Sequence, residues 1–559
     1  AYGAEVKTKA GSAAENTAEI TDGTTANLYG ASLTAAGATG SATKSKANIS
    51  GGSVTGNVYG GHTADSAATG SVTDSEVNIS HGTVGGTIYA GYNAGAGDAK
   101  SGTVTITGGT MGDVYGGYAV GAGVTTGNTV NLGDGSHALA SGTTINGVLY
   151  GGNKTTVTDN TLNVKTNATA GNIAHFDKVK FHLNSTINPA NSLLTLNNSS
   201  QTTGLKWDKL EVDTSSLTGA GIKTYEPYKL NLIDNAAHIA TAGYTGAKDH
   251  STDKFEYIID TDSHGATATQ YITLEGYQFK DNSAATYNEA APHAEAWAGR
   301  TKVGHTVENN TLKVTGGTIN TAAYGGVVEN NKLDAHGNPL QTGDATNNKL
   351  LLEGGSIQNG YGADVRTQAG NATGNVIDLK GATVGGSLYG GALTNTAASG
   401  NATGNTVNIL SGSVGDVYGG FANGSGKTTG NTVNLGTETS AFTATSVGTI
   451  YGGNKAEATD NTLNVNSRGA GATDVKNFEN VNFDVAHNVS HGDTMLTLTN
   501  GANTSIDWSK MQLKNLDTIT ASPTSDHILT LLDSANDITF TNYNAERARE
   551  TKRNGDYEY

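Results

Sequence analysis

The sequence predicts an all-β fold, an elongated and right-handed parallel β-helix wound in coils of about 30 residues. Three observations carry that prediction. Tyrosines preceding Gly-Gly or a similar small pair recur at Tyr29, Tyr59, Tyr89, Tyr115 and Tyr150, spaced 30, 30, 26 and 35 residues apart, and again at Tyr324, Tyr361, Tyr389, Tyr418 and Tyr451, spaced 37, 28, 29 and 33. An apolar mark advances beside them at Ile49, Ile79, Ile106, Leu132 and Val164, with spacings of 30, 27, 26 and 32. Inside each unit apolar and polar residues alternate with period 2, as in NTVNL at 128–132, where Val130 and Leu132 face one way and Thr129 and Asn131 the other. Two marks drifting together imply one structural unit per period, with length variation confined to loops.

The unit is clearest in GGTMGDVYGG at 108–117, followed by TTGNTVNLG at 125–133; both return 303 residues later as SGSVGDVYGG at 411–420 and TTGNTVNLG at 428–436. Shorter forms begin at Gly51, His81 and Gly381. Each holds a period-2 strand, a Gly-rich corner, a short strand such as Asp113-Val114-Tyr115, a Gly-Gly corner and a polar loop. Three short strands around three corners use roughly 25–30 residues, one coil. A coil that small cannot bury its own apolar face and becomes stable only by stacking. Stacking pairs each strand N–H and C=O with the coils above and below. At about 4.8 Å per coil, some twenty coils would make a rod on the order of 100 Å long. Gly suits corners that need positive φ or close approach. Asn128, Asn160, Asn431 and Asn461 are placed to hydrogen-bond in ladders along the axis.

Composition narrows the function classes. The 559 residues exceed one ordinary core, which means several domains or a repeat array. Gly is 78 and Pro only 5, with the prolines outside the repeat units, so collagen and flexible linker fit poorly. Lys+Arg is 33 against 50 Asp+Glu, a net charge of −17, and no Lys/Arg run supplies a footprint for nucleic acid or an anionic membrane. The absence of Cys excludes disulfides and thiolate metal sites. No stretch reaches 18 apolar residues, so no helical membrane span is expected. Ala1 opens in mid-pattern without a basic or apolar leader, and the chain reads as a segment of something longer.

The repeat breaks twice in matching places. After NTLNV at 160–164 come bulkier strand-like runs up to KFEYIID; after NTLNV at 461–465 come their counterparts, with Trp508 standing 301 residues beyond Trp207. Two super-modules of about 300 residues follow from this. The expected divisions are Gly-rich coils at 1–164, a strand-rich β-helix tract at 165–280, an irregular or short helical insert at 281–303, Gly-rich coils at 304–465, and a second, truncated strand-rich tract at 466–559. The Lys/Arg-rich stretch at 544–553, interrupted by Glu546 and Glu550, is expected to be exposed.

The alternation of NTVNL/NTLNV with SGGxVxGxVYGG, together with Phe478 to Phe483, Gly492 to Leu498 and Leu531 to Ser534, resembles the passenger regions of large autotransporters. These are type V secreted surface proteins of Gram-negative bacteria such as the fusobacteria and the veillonella group. The resemblance covers nearly all of the chain and lies in repeat style. It implies a β-helical stalk at the cell surface, exported through a C-terminal outer-membrane barrel that this sequence does not include, and often acting as an adhesin in cell–cell, cell–host or biofilm attachment. The partners it implies are other cell surfaces, through host or bacterial protein or glycan, with self-association possible. The alternatives are a β-helical polysaccharide-degrading enzyme and a self-associating structural fibre unit.

Motifs for chemistry are sparse, and neither a catalytic residue nor a cofactor or metal site is expected. GGFANGSGKTTG at 419–430 fails the phosphate-loop spacing because Phe421 stands where Gly is required, and reads as an inter-strand loop. DTDSHG at 260–265 begins like a calcium loop, but Tyr271 occupies the bidentate Glu position, and a solvated turn fits better. Asp113 and Asp416 are matched single carboxylates at strand starts, the mark of turn geometry rather than of a glycosidase pair. The remaining candidate is the aromatic ladder Tyr59, Tyr89, Tyr115, Tyr150, Tyr389, Tyr418 and Tyr451. If these rings point outward they form a strip for sugar rings or another protein; if they lie against the Gly-Gly corners they are packing.

Overall fold

The structure, a computed structural model, describes the chain apart from residues 157, 199, 201, 217–224, 264–268, 281–283, 331–341, 438–440, 456–458, 486–488, 516–527, 544–552, 555–556 and 559. It is all-β, about 1% helical, with parallel strands stacked as a β-solenoid of about 16 turns, about 29 residues apart. The chain divides into two compact units: residues 1–220, 228–250 and 257–275 in one, and 221–227, 251–256 and 276–559 in the other.

A coil of the first unit carries four strands, typified by Ala42–Thr43, Lys46–Ile49, Ser53–Val54 and Val58–Thr63. This is one more than the three expected. The polar loop ends in its own two-residue strand, where Ala42 pairs with Ala13 on one side and Val72 on the other. The apolar mark stacks in register from Ile20 through Ile49, Ile79, Ile106, Leu132, Val164 and Phe181 to Val212. Because the parallel register is one-to-one, inward positions stack on one another from coil to coil, and the core is a column of apolar side chains.

Corner geometry explains the recurrent Asn. The residue before the apolar-ladder strand's leading position is left-handed in the Gly-rich coils: Lys44, Asp74, Gly127 and Asp159 have φ of 50, 55, 67 and 57°, and Asn309, Asn347, Gly374, Gly404, Gly430 and Asp460 have φ of 59, 54, 66, 65, 66 and 61°. Gly, Asn and Asp dominate there because they tolerate that region. The next side chain then turns inward. In the second unit this places Asn310, Asn348, Asn375, Asn405, Asn431 and Asn461 in one fully buried file. Each Nδ2 donates to the next Oδ1 at 3.0, 3.1, 3.0, 3.0 and 3.1 Å. Asn128 and Asn160 form the same contact in the first unit at 3.2 Å. These amides satisfy the backbone groups that the corner withdraws from the ladders. At the Gly-Gly corner the demand is steric: a Cβ on Gly60 would lie 2.6 Å from both Ala90 O and Glu76 O.

The second unit repeats the scheme around a larger column running from Leu312 through Leu350, Ile377, Val407, Val433 and Leu463 to Val481. A second, narrower core of Ala and Val, including Val307, Ala345, Ala372, Ala402, Val365 and Leu393, fills the space beneath the polar-loop strands. The stretch expected to be an irregular or helical insert instead carries the strands Ala284–Tyr287 and His293–Thr301. His293–Thr301 is a coil strand in which Trp297 pairs with Tyr324. The repeat is disguised because Trp-Ala-Gly replaces Tyr-Gly-Gly and charged Glu295 and Arg300 flank it. In the tract after Val164, coils continue to Leu210–Asp213 and give way to the long strands Tyr228–Ala242 and Thr269–Gln278. Trp207 and Trp508, matched by spacing, each open a 3-10 turn, Trp207–Lys209 and Trp508–Lys510. The Lys/Arg-rich stretch at 544–553 lies outside the described residues except for its last residue, which begins the short strand Arg553–Asn554. No helix of the described residues is long and apolar enough to cross a membrane.

Candidate functional site: an outward aromatic surface

Alternation decides where the tyrosines point. Leu28, Val58, Ile88, Val114 and Leu149 are fully buried, and the tyrosine that follows each one takes the opposite face, where Tyr29, Tyr89, Tyr115 and Tyr150 are half-buried and Tyr59 is buried among the neighbouring rings. In the first unit Tyr2, Tyr29, Tyr59, Tyr89, Tyr115 and Tyr150 form a single file, with centroid separations of 4.6, 4.9, 5.3, 5.4 and 4.3 Å and interplanar angles of 8, 5, 10, 17 and 4°. Tyr324, Tyr361, Tyr389, Tyr418 and Tyr451 form the equivalent file in the second, at 5.0, 4.7, 5.1 and 4.5 Å. The outward and the packing readings thus describe one arrangement. Each ring covers its neighbour's face, so edges and hydroxyls are what the file offers, and sugar rings have no free face to stack on except at its ends.

A second file lies beside the first and was not anticipated. His62, Tyr92 and Tyr118 occupy one register, three residues after Tyr59, Tyr89 and Tyr115. His62 stacks on Tyr92 at 5.3 Å and Tyr92 on Tyr118 at 5.4 Å. Their rings meet the first file edge to face: Tyr89–Tyr92 at 5.1 Å and 72°, Tyr115–Tyr118 at 5.1 Å and 84°. Edge-to-face pairs at this distance are the favoured arrangement of aromatic quadrupoles. Its signal in the sequence is the second ring of YGGH, YAGY and YGGY at 59–62, 89–92 and 115–118, which varies between coils where the first ring does not. The second unit keeps just one such ring, Phe421, edge-on to Tyr389 and Tyr418 at 5.2 and 5.5 Å.

Burial keeps His62 and Tyr89 uncharged near neutral pH. Burial pushes His62 down to about 4, and its Nδ1 lies 2.9 Å from Ser32 Oγ. Burial pushes the Tyr89 hydroxyl up to about 12, opposed by the Thr87 hydroxyl and reinforced by neighbouring tyrosines. The face therefore presents ring edges with neutral hydroxyls that donate and accept.

A charged cluster in the second unit is the other concentration of chemistry. Arg300 bridges Glu295 at 2.7 Å and Glu329 at 2.9 Å. Arg366 binds Asp364 through Nε at 2.7 Å, reaches Glu329 as well, and donates to Tyr324 Oη at 2.8 Å. Lys302 closes on Glu329, and Thr394 donates to Asp364 at 2.7 Å. Nearby Glu256, fully buried, is pushed up to about 7 by desolvation against the Thr301 hydroxyl and the Lys302 N–H that bind it. Carboxylates distant in sequence do converge here, but Glu295, Glu329 and Asp364 are each bridged by an arginine. The cluster is a buried ion-pair network.

The remaining motifs resolve as local structure. Asp113 and Asp416 accept the backbone N–H of Val148 at 2.8 Å and of Thr449 at 2.9 Å, one coil on in each case. The backbone of Lys427 is held in its loop, its N–H donating to Asn401 Oδ1 and its carbonyl accepting from Ala402 N. Of the calcium-like loop, residues 264–265 lie outside the described residues; Asp260 accepts from Tyr244 Oη at 2.5 Å and from Thr261 N at 2.8 Å. Among the described residues no group of three or more His, Asp or Glu is placed to hold a metal ion. Comparison with protein-family models, with curated proteins and with solved structures returned no match.

Proposed function

We propose that the chain is the β-helical passenger of an autotransporter-like adhesin, displayed at the surface of a Gram-negative bacterium and attaching it to other cells without catalysis of its own. The observation that carries this reading is the double aromatic file of the first unit. It leaves the rings of Tyr29, Tyr89, Tyr92, Tyr115, Tyr118 and Tyr150 partly exposed on one face, coil after coil, and interfaces are enriched in such amphipathic side chains. Low overall charge and amide- and hydroxyl-rich loops support the same reading. Glu256 is the carboxyl of this cluster without an arginine bridge, while Glu295, Glu329 and Asp364 are each held by one, so the cluster offers no second free carboxyl of the kind a glycosidase needs beside its proton donor.

Beads coated with the purified chain provide the test. The adhesive reading expects them to capture bacterial or epithelial cells above an uncoated control, with no release of reducing ends from a polysaccharide panel. Release of reducing ends without capture would establish the enzyme instead. Self-capture of coated beads alone would establish the fibre unit.

A further inference from the structure

Two polar clefts lie at corresponding places in the two units. Leu132, Val164, Phe181 and Val212 stack in four successive coils, as do Leu435, Val465, Phe483 and Leu513. The chain just past each of these columns borders a cleft, about 260 Å³ in the first unit and about 370 Å³ in the second. Asp134, Lys165, His182 and Asp213 line the first, and Thr437, Asn466, Asp484 and Lys514 stand at the corresponding positions of the second. Gly133 and Gly436, with φ of 86 and 73°, turn the chain out of the column at the edge of each cleft.

The linings are organised. Asp134 is fixed by the N–H groups of Ser136 and His137 at 2.7 and 2.9 Å. His182 Nδ1 is 3.1 Å from Asp213, and its Nε2 is 3.3 Å from Asn163 Oδ1. In the second cleft Asn464 donates to Asn434 at 2.7 Å and Asn466 to Gly436 O at 3.2 Å. The backbone of Lys165 bonds Leu132 and Asn184, and that of Lys514 bonds Val485, but among the described residues neither ammonium makes an ion pair or hydrogen bond, so each is available to a ligand. Residue identities differ between the clefts, yet both combine amide or imidazole, carboxylate and one lysine.

We propose that these clefts are a pair of saccharide sites, each taking one or two neutral sugar units. Walls contributed by successive coils repeat at about 4.8 Å, close to the width of a sugar ring, and mixed donors and acceptors suit hydroxyls, which do both. A phosphate or other anion would meet Asp134 and Asp213 in one cleft and Asp484 in the other. A lipid would find little apolar wall. The inference does not depend on the adhesive reading, since a free sugar would occupy the clefts whether or not the chain attaches cells.

Saturation-transfer NMR on the whole chain, with galactose, N-acetylglucosamine, glucuronate and inorganic phosphate as probes, followed by calorimetry with the best sugar, tests it. Two equivalents of neutral sugar per chain are expected. Lys165→Trp or the rim variant Ser136→Trp should remove one equivalent, Asn466→Trp or Lys514→Ala should remove or weaken the other at least tenfold, and a variant filled in both clefts should bind none; circular dichroism identifies any variant that misfolds. No transfer to any neutral sugar, binding of glucuronate or phosphate alone, or sugar binding that survives filling both clefts would overturn the proposal.

Discussion

Asn405 shows what one side chain does in this fold. Its Oδ1 accepts from both the backbone N–H and the Nδ2 of Asn375, at 3.0 Å each, while its own Nδ2 donates to Ala372 O and to Asn431 Oδ1, also at 3.0 Å. Asn405→Ala would leave the Asn375 N–H and the Ala372 carbonyl buried without this partner. With roughly 1–3 kcal/mol for each unsatisfied group, a loss of about 3 kcal/mol is expected. It should appear as faster amide exchange across the adjoining coils, because a stacked array opens locally. His62 gives a second expectation. Its folded value of about 4 lies below the unfolded value of about 6.5, so between those limits the unfolded state binds more protons. Stability is therefore complete above about pH 6.5 and falls towards pH 4, by roughly 3 kcal/mol at most. His62→Phe should flatten that part of the curve in pH-dependent denaturation of the first unit.

Strands and corners were legible in the sequence to the extent that a repeat leaves an identical mark. Tyr-Gly-Gly and NTVNL exposed the tyrosine file and the apolar column, and Asn128, Asn160, Asn431 and Asn461 pointed to the ladders. Where side chains vary at a kept backbone position, the mark vanishes. The left-handed corner is occupied by Lys44, Asp74 and Ser101 as well as by Gly, so no residue type announces it. Trp297 stands in the tyrosine file, and the two-residue strand Ala42–Thr43 is too short to carry a period. The second aromatic file was missed because His62, Tyr92 and Tyr118 follow the corner, where alternation no longer predicts the face. Register makes the coil the unit of exchange. Ile49 pairs with Ile79, so deleting residues 50–79 joins Ile49 to Ser80 with the register intact. Such a variant should keep its β-sheet dichroism and melt within a few degrees of the parent. Removing only 50–64 should abolish cooperative melting, since half a coil places polar residues in the column.

Taken as a whole, the chain concentrates its outward aromatic side chains in the first unit and its buried ions in the second. Sequence repeats alone could not reveal this difference, since the second file and the Arg300–Glu329–Arg366 network arise from residues that vary between coils. The adhesive account depends on the first of these features. Its most direct test is the number of cells retained under shear on a surface coated with the chain, compared with one coated with the Tyr92→Ser, Tyr118→Ser double variant. Both substituted positions lie on the outer face, so the β-solenoid should persist, as judged by unchanged circular dichroism. The account predicts retention well above a bare surface for the parent chain and a loss of at least fivefold for the variant; equal retention by the two proteins, or none by the parent, would contradict it.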